Sequence, residues 1–435
     1  MTRRILATGA FVALLSGGVL AQTPAPNAIN PGDTGFMLMS AALVMLMTPG
    51  LAFFYGGMVR GKNVLGTLMQ SFVAVAVISI QWILWGYSIG FGPDKGGFTG
   101  GLEWFGLQGV GMDPNPDYAA TIPHQAYMIY QCMFAVITPA LITGAIAERM
   151  KFKTYLVFIV LWATLVYDPV AHWVWGMGGW LRARGALDFA GGTVVHISSG
   201  VSAMVAALVM GRRRGFPETP MAPHNLPYTI LGAGLLWFGW FGFNAGSAVA
   251  AGTLSTSAFI ATNTAAAAAT LAWMLMDWMV RGKPTALGAA SGAVAGLVAI
   301  TPASGYVSPM SSFIIGAAGG CVCFAAVSLR AKTGVDDSLD VFGVHGIGGT
   351  LGALLTGLFA SKMVNPAGGD GLFFGNPALF GTQVMAVVVT WIYAGVVTVV
   401  LLKILDAVMG LRVDAAQEDE GLDVSQHGES AYTLE

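Results

Sequence analysis

Eleven predominantly apolar stretches divide the chain, and the short segments between them hold nearly all of its charge. They lie within 35–58, 64–91, 124–147, 154–174, 192–211, 226–247, 256–280, 286–301, 309–329, 344–361 and 379–409. An apolar run of about 20 residues is long enough to cross the hydrocarbon core of a bilayer as a helix. The pattern therefore predicts an all-α polytopic membrane protein with eleven transmembrane helices, several of them kinked by Gly or Pro. Ahead of these, Arg3 and Arg4 precede an apolar core from Ile5 to Leu20, and small residues lead into Gln22. That order predicts a cleaved signal peptide over 1–21. A polar, Pro-rich periplasmic leader (22–34), a membrane domain (35–410) and a cytoplasmic tail (411–435) complete the division.

Composition supports the class. The chain has 435 residues, 55% of them hydrophobic and only 10% charged, against about a quarter charged in an ordinary soluble domain. The net charge of −2 suggests neither nucleic acid nor an acidic surface as a partner. The distribution of charge says more. If the mature N-terminus is outside, the loops predicted inside hold fourteen of the Lys and Arg residues. Those predicted outside hold four: Lys95, Arg182, Arg184 and Lys362. This bias predicts an N-out, C-in topology and supports the span count. Cys132, Cys321 and Cys323 all sit in apolar stretches, as small buried hydrophobes do, and lack the spacing of a metal or disulfide framework.

Within that apolar frame, His196 lies in the fifth stretch and His345 in the tenth, following Asp188 and Asp340 respectively. Ionisable groups inside a bilayer cost a few kcal/mol and usually mark function. If spans 1–5 and 6–10 are two halves, their odd number makes them antiparallel. Such inverted repeats place a site near mid-membrane, where the halves meet. The two histidines are then candidates to face each other across a pseudo-twofold axis.

The motifs "DFAGGTVVHISSGVSAMVAALVMGRR", "GWFGFNAGSA", "FGVHGIGG", "GAIAER" and "EGLDVSQHGESAY" together resemble the ammonium transporter (Amt/Mep/Rh) family, bacterial branch. The resemblance runs from about residue 30 to the C-terminus. It implies a homotrimer in the bacterial inner membrane, each eleven-helix subunit carrying its own narrow apolar pore for ammonium, ammonia or methylammonium, with no cofactor or metal. By the same resemblance His196 and His345 match the family's twin pore histidines, and Trp240 a pore-lining tryptophan. Trp175, Phe134 and Ser247 match the outer recruitment site, and Phe134 and Phe243 the stacked aromatic gate.

The residue chemistry suits these roles. A neutral imidazole donates from one nitrogen and accepts at the other, so two rings sharing a hydrogen bond give an uncharged polar track; the plainer reading of a single such histidine is helix packing. Aromatic faces attract a desolvated cation by about 2 kcal/mol, and the Ser247 hydroxyl can accept a hydrogen bond, although a lone Trp175 also fits an interfacial belt. Asp188 either binds the cation or caps the fifth helix; capping is preferred, with Asp340 given the same role before span ten. Tyr130 stands where the family often has Phe, and its hydroxyl either accepts from the cation or reaches interfacial water. Asp168 reads as a solvated helix end, His172 as interfacial, and His124 and His224 as loop residues.

Other classes fit less well. Two buried histidines in glycine-rich surroundings leave little room for haem, and no metal, phosphate or nucleophile motif is present, so an enzyme is not expected. A sensor of ammonium would keep the vestibule and tail while its pore degraded. The tail resembles the family's ordered C-terminus, which implies docking of a PII-type nitrogen-signalling protein.

Overall fold

The computed structural model describes residues 28–432; the predicted signal, 1–21, lies outside them. Among the described residues ten helices are long and apolar enough to cross a membrane. They are α1 (Pro31–Met58), α2 (Val64–Gln81, continuing to Phe91), α3 (His124–Ile146), α4 (Phe152–Trp162, continuing to Trp175) and α5 (Gly192–Met210). After these come α6 (Leu226–Ala245), α7 (Thr253–Arg281), α9 (Pro309–Thr333), α10 (Phe342–Phe359) and α11 (Pro377–Met409). The protein is a multi-pass membrane protein. The stretch predicted over 286–301 forms α8 (Ala286–Ile300), a shorter apolar helix of 15 residues. The chain leaves it in a buried turn at 301–304.

Where helices start differs from the sequence reading, and the cause is local. The predicted leader, 22–34, runs into α1, which begins at Pro31. Asn30 caps it, its side chain accepting from the N–H groups of Gly32 and Asp33, with Pro at the first helical position and Asp33 in the first turn. Polar residues that cap a helix do so because its first N–H groups have no partner of their own. Apolar content alone misses such a start.

Four helices carry a wide π turn: Trp82–Gly86 in α2, Ala163–Tyr167 in α4, Gly192–Ile197 in α5 and Phe342–Gly346 in α10. Such turns are rare and concentrate at functional sites. The last two hold His196 and His345, which are 149 residues apart. The same offset relates the contacts around them. A Cβ on Gly200 would overlap the backbone N of Gly346, and a Cβ on Gly349 would press on the backbone N of Ile197. Adding 149 to 200 and 197 gives 349 and 346, so each contact is the other with the helices exchanged. Only glycine lets the two backbones come this close. Gly200→Ala sets a methyl group against main chain that cannot swing aside, where overpacking costs typically 1–3 kcal/mol or more. The expected result is little or no folded protein, measured by size-exclusion chromatography of the detergent-extracted variant.

Beyond α11 the chain turns back as α12 (Ala415–Glu420) and α13 (Leu422–His427) and packs on the loops at one face, here called the tail face. Lys151 N–H donates to Leu411 O, and Val413 N–H to Arg149 O. Leu422 N–H donates to Asn63 Oδ1, and Gly66 N–H to Asp423 Oδ1, each at 2.8 Å. Glu418 takes Arg412 at 2.7 Å and the N–H of Arg214 at 2.7 Å. Beneath it lies a buried network: Glu148 with Arg60 and Arg213, and Asp336 with Arg213 and Arg149. Burial pulls the Asp336 carboxyl upward, but the hydrogen-bonded Arg213 outweighs it and holds that carboxyl below its ordinary value. Each charge thus has a partner, without which it would be strongly destabilising. The tail is docked on the helices.

Candidate functional site

A funnel of about 590 Å³ opens at the face opposite the tail. Phe134, Trp175, Ser247, Gln131 and Asp188 are among its lining. Trp175 ends α4. Its indole N–H donates to the carbonyl O of Asp188 at 2.8 Å, and its ring meets that of Phe134 edge-on at 5.9 Å. Ser247 sits in the turn after α6, lines the funnel and donates to Phe243 O at 2.9 Å.

Tyr130 is placed differently from its sequence reading. Its side chain is wholly buried, and its hydroxyl lies 3.0 and 2.8 Å from the carbonyl oxygens of Gly242 and Phe243 and 3.2 Å from Ser247 Oγ. It therefore bonds α3 to α6 behind Ser247 and reaches neither the funnel nor interfacial water.

Below the funnel, Phe134 and Phe243 stand with ring centroids 4.2 Å apart and planes 30° from parallel. Beneath them is a small apolar chamber of about 10 Å³, close to the least space that holds one water-sized molecule. Met47, Leu51, Ile137 and Leu141 wall it, and its polar groups are the two imidazoles and the edge of Trp240. His196 and His345 stack 24° from parallel with their Nδ1 atoms 3.2 Å apart. His196 also stacks on Trp240, whose N–H is held by Thr301 at 2.9 Å. Among the described residues His196 Nε2 has no hydrogen-bond partner although it is buried. A buried polar atom left unpaired is uncommon, and here it faces a passage. His345 also borders a second chamber of about 40 Å³ toward the tail face, with Tyr55, Met58 and Asp340.

The two acidic positions resolve differently. Asp188 Oδ1 accepts the N–H groups of Gly191 and Gly192 at 2.7 and 2.6 Å. Oδ2 accepts those of Thr193 and Val194 at 2.7 and 3.2 Å, together with the Thr193 hydroxyl. Five donors fill the roughly four lone-pair positions of a carboxylate. Asp340 does not cap α10, nor does it support the funnel. It lies at the other end of the passage and pairs with Arg330 at 2.5 Å. The cap is Asp337, whose Oδ2 accepts the N–H of Phe342 at 2.8 Å. The signal was in the spacing: Asp188 precedes His196 by eight residues, and Asp337 precedes His345 by eight, whereas Asp340 precedes it by five.

Comparison with known proteins identifies the family. The profile of the Ammonium Transporter Family matches residues 35–432. The chain belongs to the ammonium transporter family. An ammonium transporter of Bacillus subtilis is 57% identical over 92% of this chain and 98% of its own length. Ammonium transporter Amt1 of Archaeoglobus fulgidus is 48% identical over 93% and 100%. Among solved structures, Mep2 of Saccharomyces cerevisiae superposes with a TM-score of 0.84 at 37% identity, covering 89% of each chain. A protein described as a sensor Amt protein gives 0.84 at 29% identity, covering 91% of this chain and 98% of its own.

Three residues of this family member sit otherwise than their sequence suggested. Asp168 is no solvated helix end: it is wholly buried and accepts from Gln81 Nε2 at 2.8 Å. His124 opens α3, buried against the Tyr87 hydroxyl at 2.6 Å. His172 is buried rather than interfacial. Their partners lie 87, 37 and 78 residues away in the chain, and no local pattern points to them. His224 is in a loop, as read, and its ring meets the Tyr432 hydroxyl of the tail at 2.9 Å.

Proposed function

We propose that the protein carries ammonium across the bacterial inner membrane, with the funnel outside and the tail face in the cytoplasm. The observation that carries this is the order of groups along one line. An aromatic funnel lined by a serine hydroxyl leads to a closed phenylalanine pair, then to a chamber for one small molecule whose polar contacts are two imidazole rings. Trp175, Phe134 and Ser247 take up the cation: two aromatic faces attract it and one oxygen accepts from it. Tyr130 supports Ser247 from behind. Phe134 and Phe243 close the path to hydrated ions. A desolvated ion cannot stay charged in so dry a chamber, so the substrate gives its proton to water in the open funnel and crosses as ammonia. His196 and His345 exchange hydrogen bonds with it, and Trp240 holds His196 in place.

In this reading Asp188 builds the funnel mouth and does not touch the cation, its lone pairs being spent. Spans 1–5 and 6–10 form an inverted repeat, α8 completes the eleven crossings, and residues 1–21 are removed as a signal. Three subunits assemble, and the tail, 411–435, docked over its described residues, 411–432, offers the cytoplasmic surface for a PII-type protein.

The test is uptake of labelled methylammonium, and the current evoked by ammonium, in proteoliposomes holding the full chain. Trp175→Leu and Ser247→Ala are expected to raise the apparent KM, Trp175→Leu by up to about thirtyfold if a desolvated cation–π contact of ~2 kcal/mol is lost. The maximal rate should change less. Folded wild type that binds ammonium yet shows neither uptake nor current would overturn transport in favour of sensing.

A further inference from the structure

Both ring nitrogens of the buried His172 face acceptors. Nδ1 lies 3.1 Å from the carbonyl oxygen of Gly90 at the end of α2, and Nε2 lies 2.9 Å from Asp94 Oδ1. A carbonyl oxygen has no proton to give, so Nδ1 carries one. Asp94 sits in the strand β1 (Asp94–Lys95), paired with β2 (Thr99–Gly100). Its Oδ1 also accepts the N–H of Gly97 at 2.7 Å, and a third of its side chain meets solvent. Both circumstances favour an ionised carboxylate, and the hydrogen bond from His172 holds that carboxyl below its ordinary value. Nε2 must then donate too. A neutral imidazole has a single N–H and cannot serve both oxygens; an imidazolium has two.

We infer that His172 is an imidazolium whose two N–H groups strap the last turn of α4 to α2 and to the β1–β2 hairpin, and so position Trp175. The inference rests on the proposed role of Trp175 at the funnel. Trp175 follows His172 by three residues, on the turn that ends where the N–H of Gly176 donates to His172 O at 3.0 Å. Trp175 is otherwise held by its N–H to Asp188 O and by Arg182, which donates to its carbonyl. Loss of one imidazole proton sets a nitrogen lone pair against an oxygen lone pair. One arm of the strap opens, and the turn beneath Trp175 loosens.

The other titratable groups on elements packed against this turn bond partners other than the ring, Tyr118 donating to Phe91 O and accepting the N–H of Met177. Tyr87 meets His124, and Lys95 pairs with Glu103. Asp168, one turn earlier on α4, bonds Gln81, Arg182 bonds the Trp175 carbonyl, and His196 meets His345. Asp94 is the charged group hydrogen-bonded to the ring. His172 is thus a positioning residue, and substrate capture should weaken as the outside becomes alkaline.

The test uses the full chain in proteoliposomes, comparing wild type with Asp94→Asn, a change at a partly exposed position that keeps the side-chain shape. The ratio of their apparent KM values at each external pH cancels the substrate's own titration. Removing the opposite charge takes away what stabilises the second imidazole proton. The ratio is therefore expected to climb several-fold from acid to alkaline external pH, with the maximal rate following less closely. A ratio independent of pH would leave only a structural contact and overturn the inference.

A second measurement needs no transport. Nitrogen-15 spectra of histidine-labelled protein in lipid at about pH 7 should show one ring with both nitrogens protonated, missing in His172→Gln. A neutral ring there would also overturn it. If Trp175→Leu left the KM of wild type unchanged, the recruitment reading would fail instead, and the spectrum would still report on His172.

Discussion

Replacing both His196 and His345 with alanine is expected to cut ammonium-selective flux by at least about thirtyfold in proteoliposomes. The reason lies in what the chamber offers. Its walls are aliphatic and aromatic, and the hydrogen-bonding groups within it belong to the two imidazoles and to Trp240, whose N–H is already taken by Thr301. A small polar molecule placed there without a partner costs roughly 2 kcal/mol or more, and each 1.4 kcal/mol is about a factor of ten in rate. Two alanines also remove the His196 ring, which stacks on Trp240 and Phe243, and the His345 ring stacked on it, and the widened passage admits water. Residual current in the double variant should therefore carry potassium as well as ammonium. Wild-type flux with wild-type selectivity would show that the substrate does not pass the histidine pair. Single variants are informative as a pair: each leaves one ring without its Nδ1 neighbour, so the two should lose flux similarly if the rings act as a unit.

Why the spans were legible and much of the site was not follows from physical range. A membrane helix writes its signature locally, because each of about 20 consecutive residues must tolerate lipid or a neighbouring helix. That is why 64–91 and 124–147 match α2 and α3 closely. The signature falls short where a polar cap extends a helix, as Asn30 does for α1. The histidines could be placed in facing helices by their positions in two halves, yet the stacked rings and the unpaired Nε2 required coordinates. Tyr130 shows the limit most plainly. Its hydroxyl is a good acceptor on paper, but it is buried behind Ser247, where it donates to backbone carbonyls of α6. Asp168 and His172 look like solvent-facing ends of a span, and only partners far along the chain explain their burial. By contrast Asp337 was available from arithmetic, through the eight-residue interval it shares with Asp188.

Asp188 offers the sharper distinction between building a funnel and binding a cation. A carboxylate that only lends charge to a bound ion can become an amide and leave a folded protein with a raised KM. The geometry here predicts otherwise. In Asp188→Asn one oxygen becomes an NH₂ group, and whichever side it takes, it meets donors. On the Oδ1 side stand the N–H groups of Gly191 and Gly192; on the Oδ2 side stand Thr193, with its hydroxyl, and Val194. At least two buried N–H groups lose their acceptor, at about 1–3 kcal/mol each. The opening π turn of α5, which carries His196, then lacks its cap. The carbonyl of Asp188 shifts with it and releases the Trp175 indole. Asparagine should consequently be almost as damaging as alanine, both variants losing about 3 kcal/mol or more of stability and nearly all flux. Thermal unfolding in detergent, read beside uptake, checks this. A stable Asp188→Asn protein with only a higher KM would return the aspartate to the role of cation ligand.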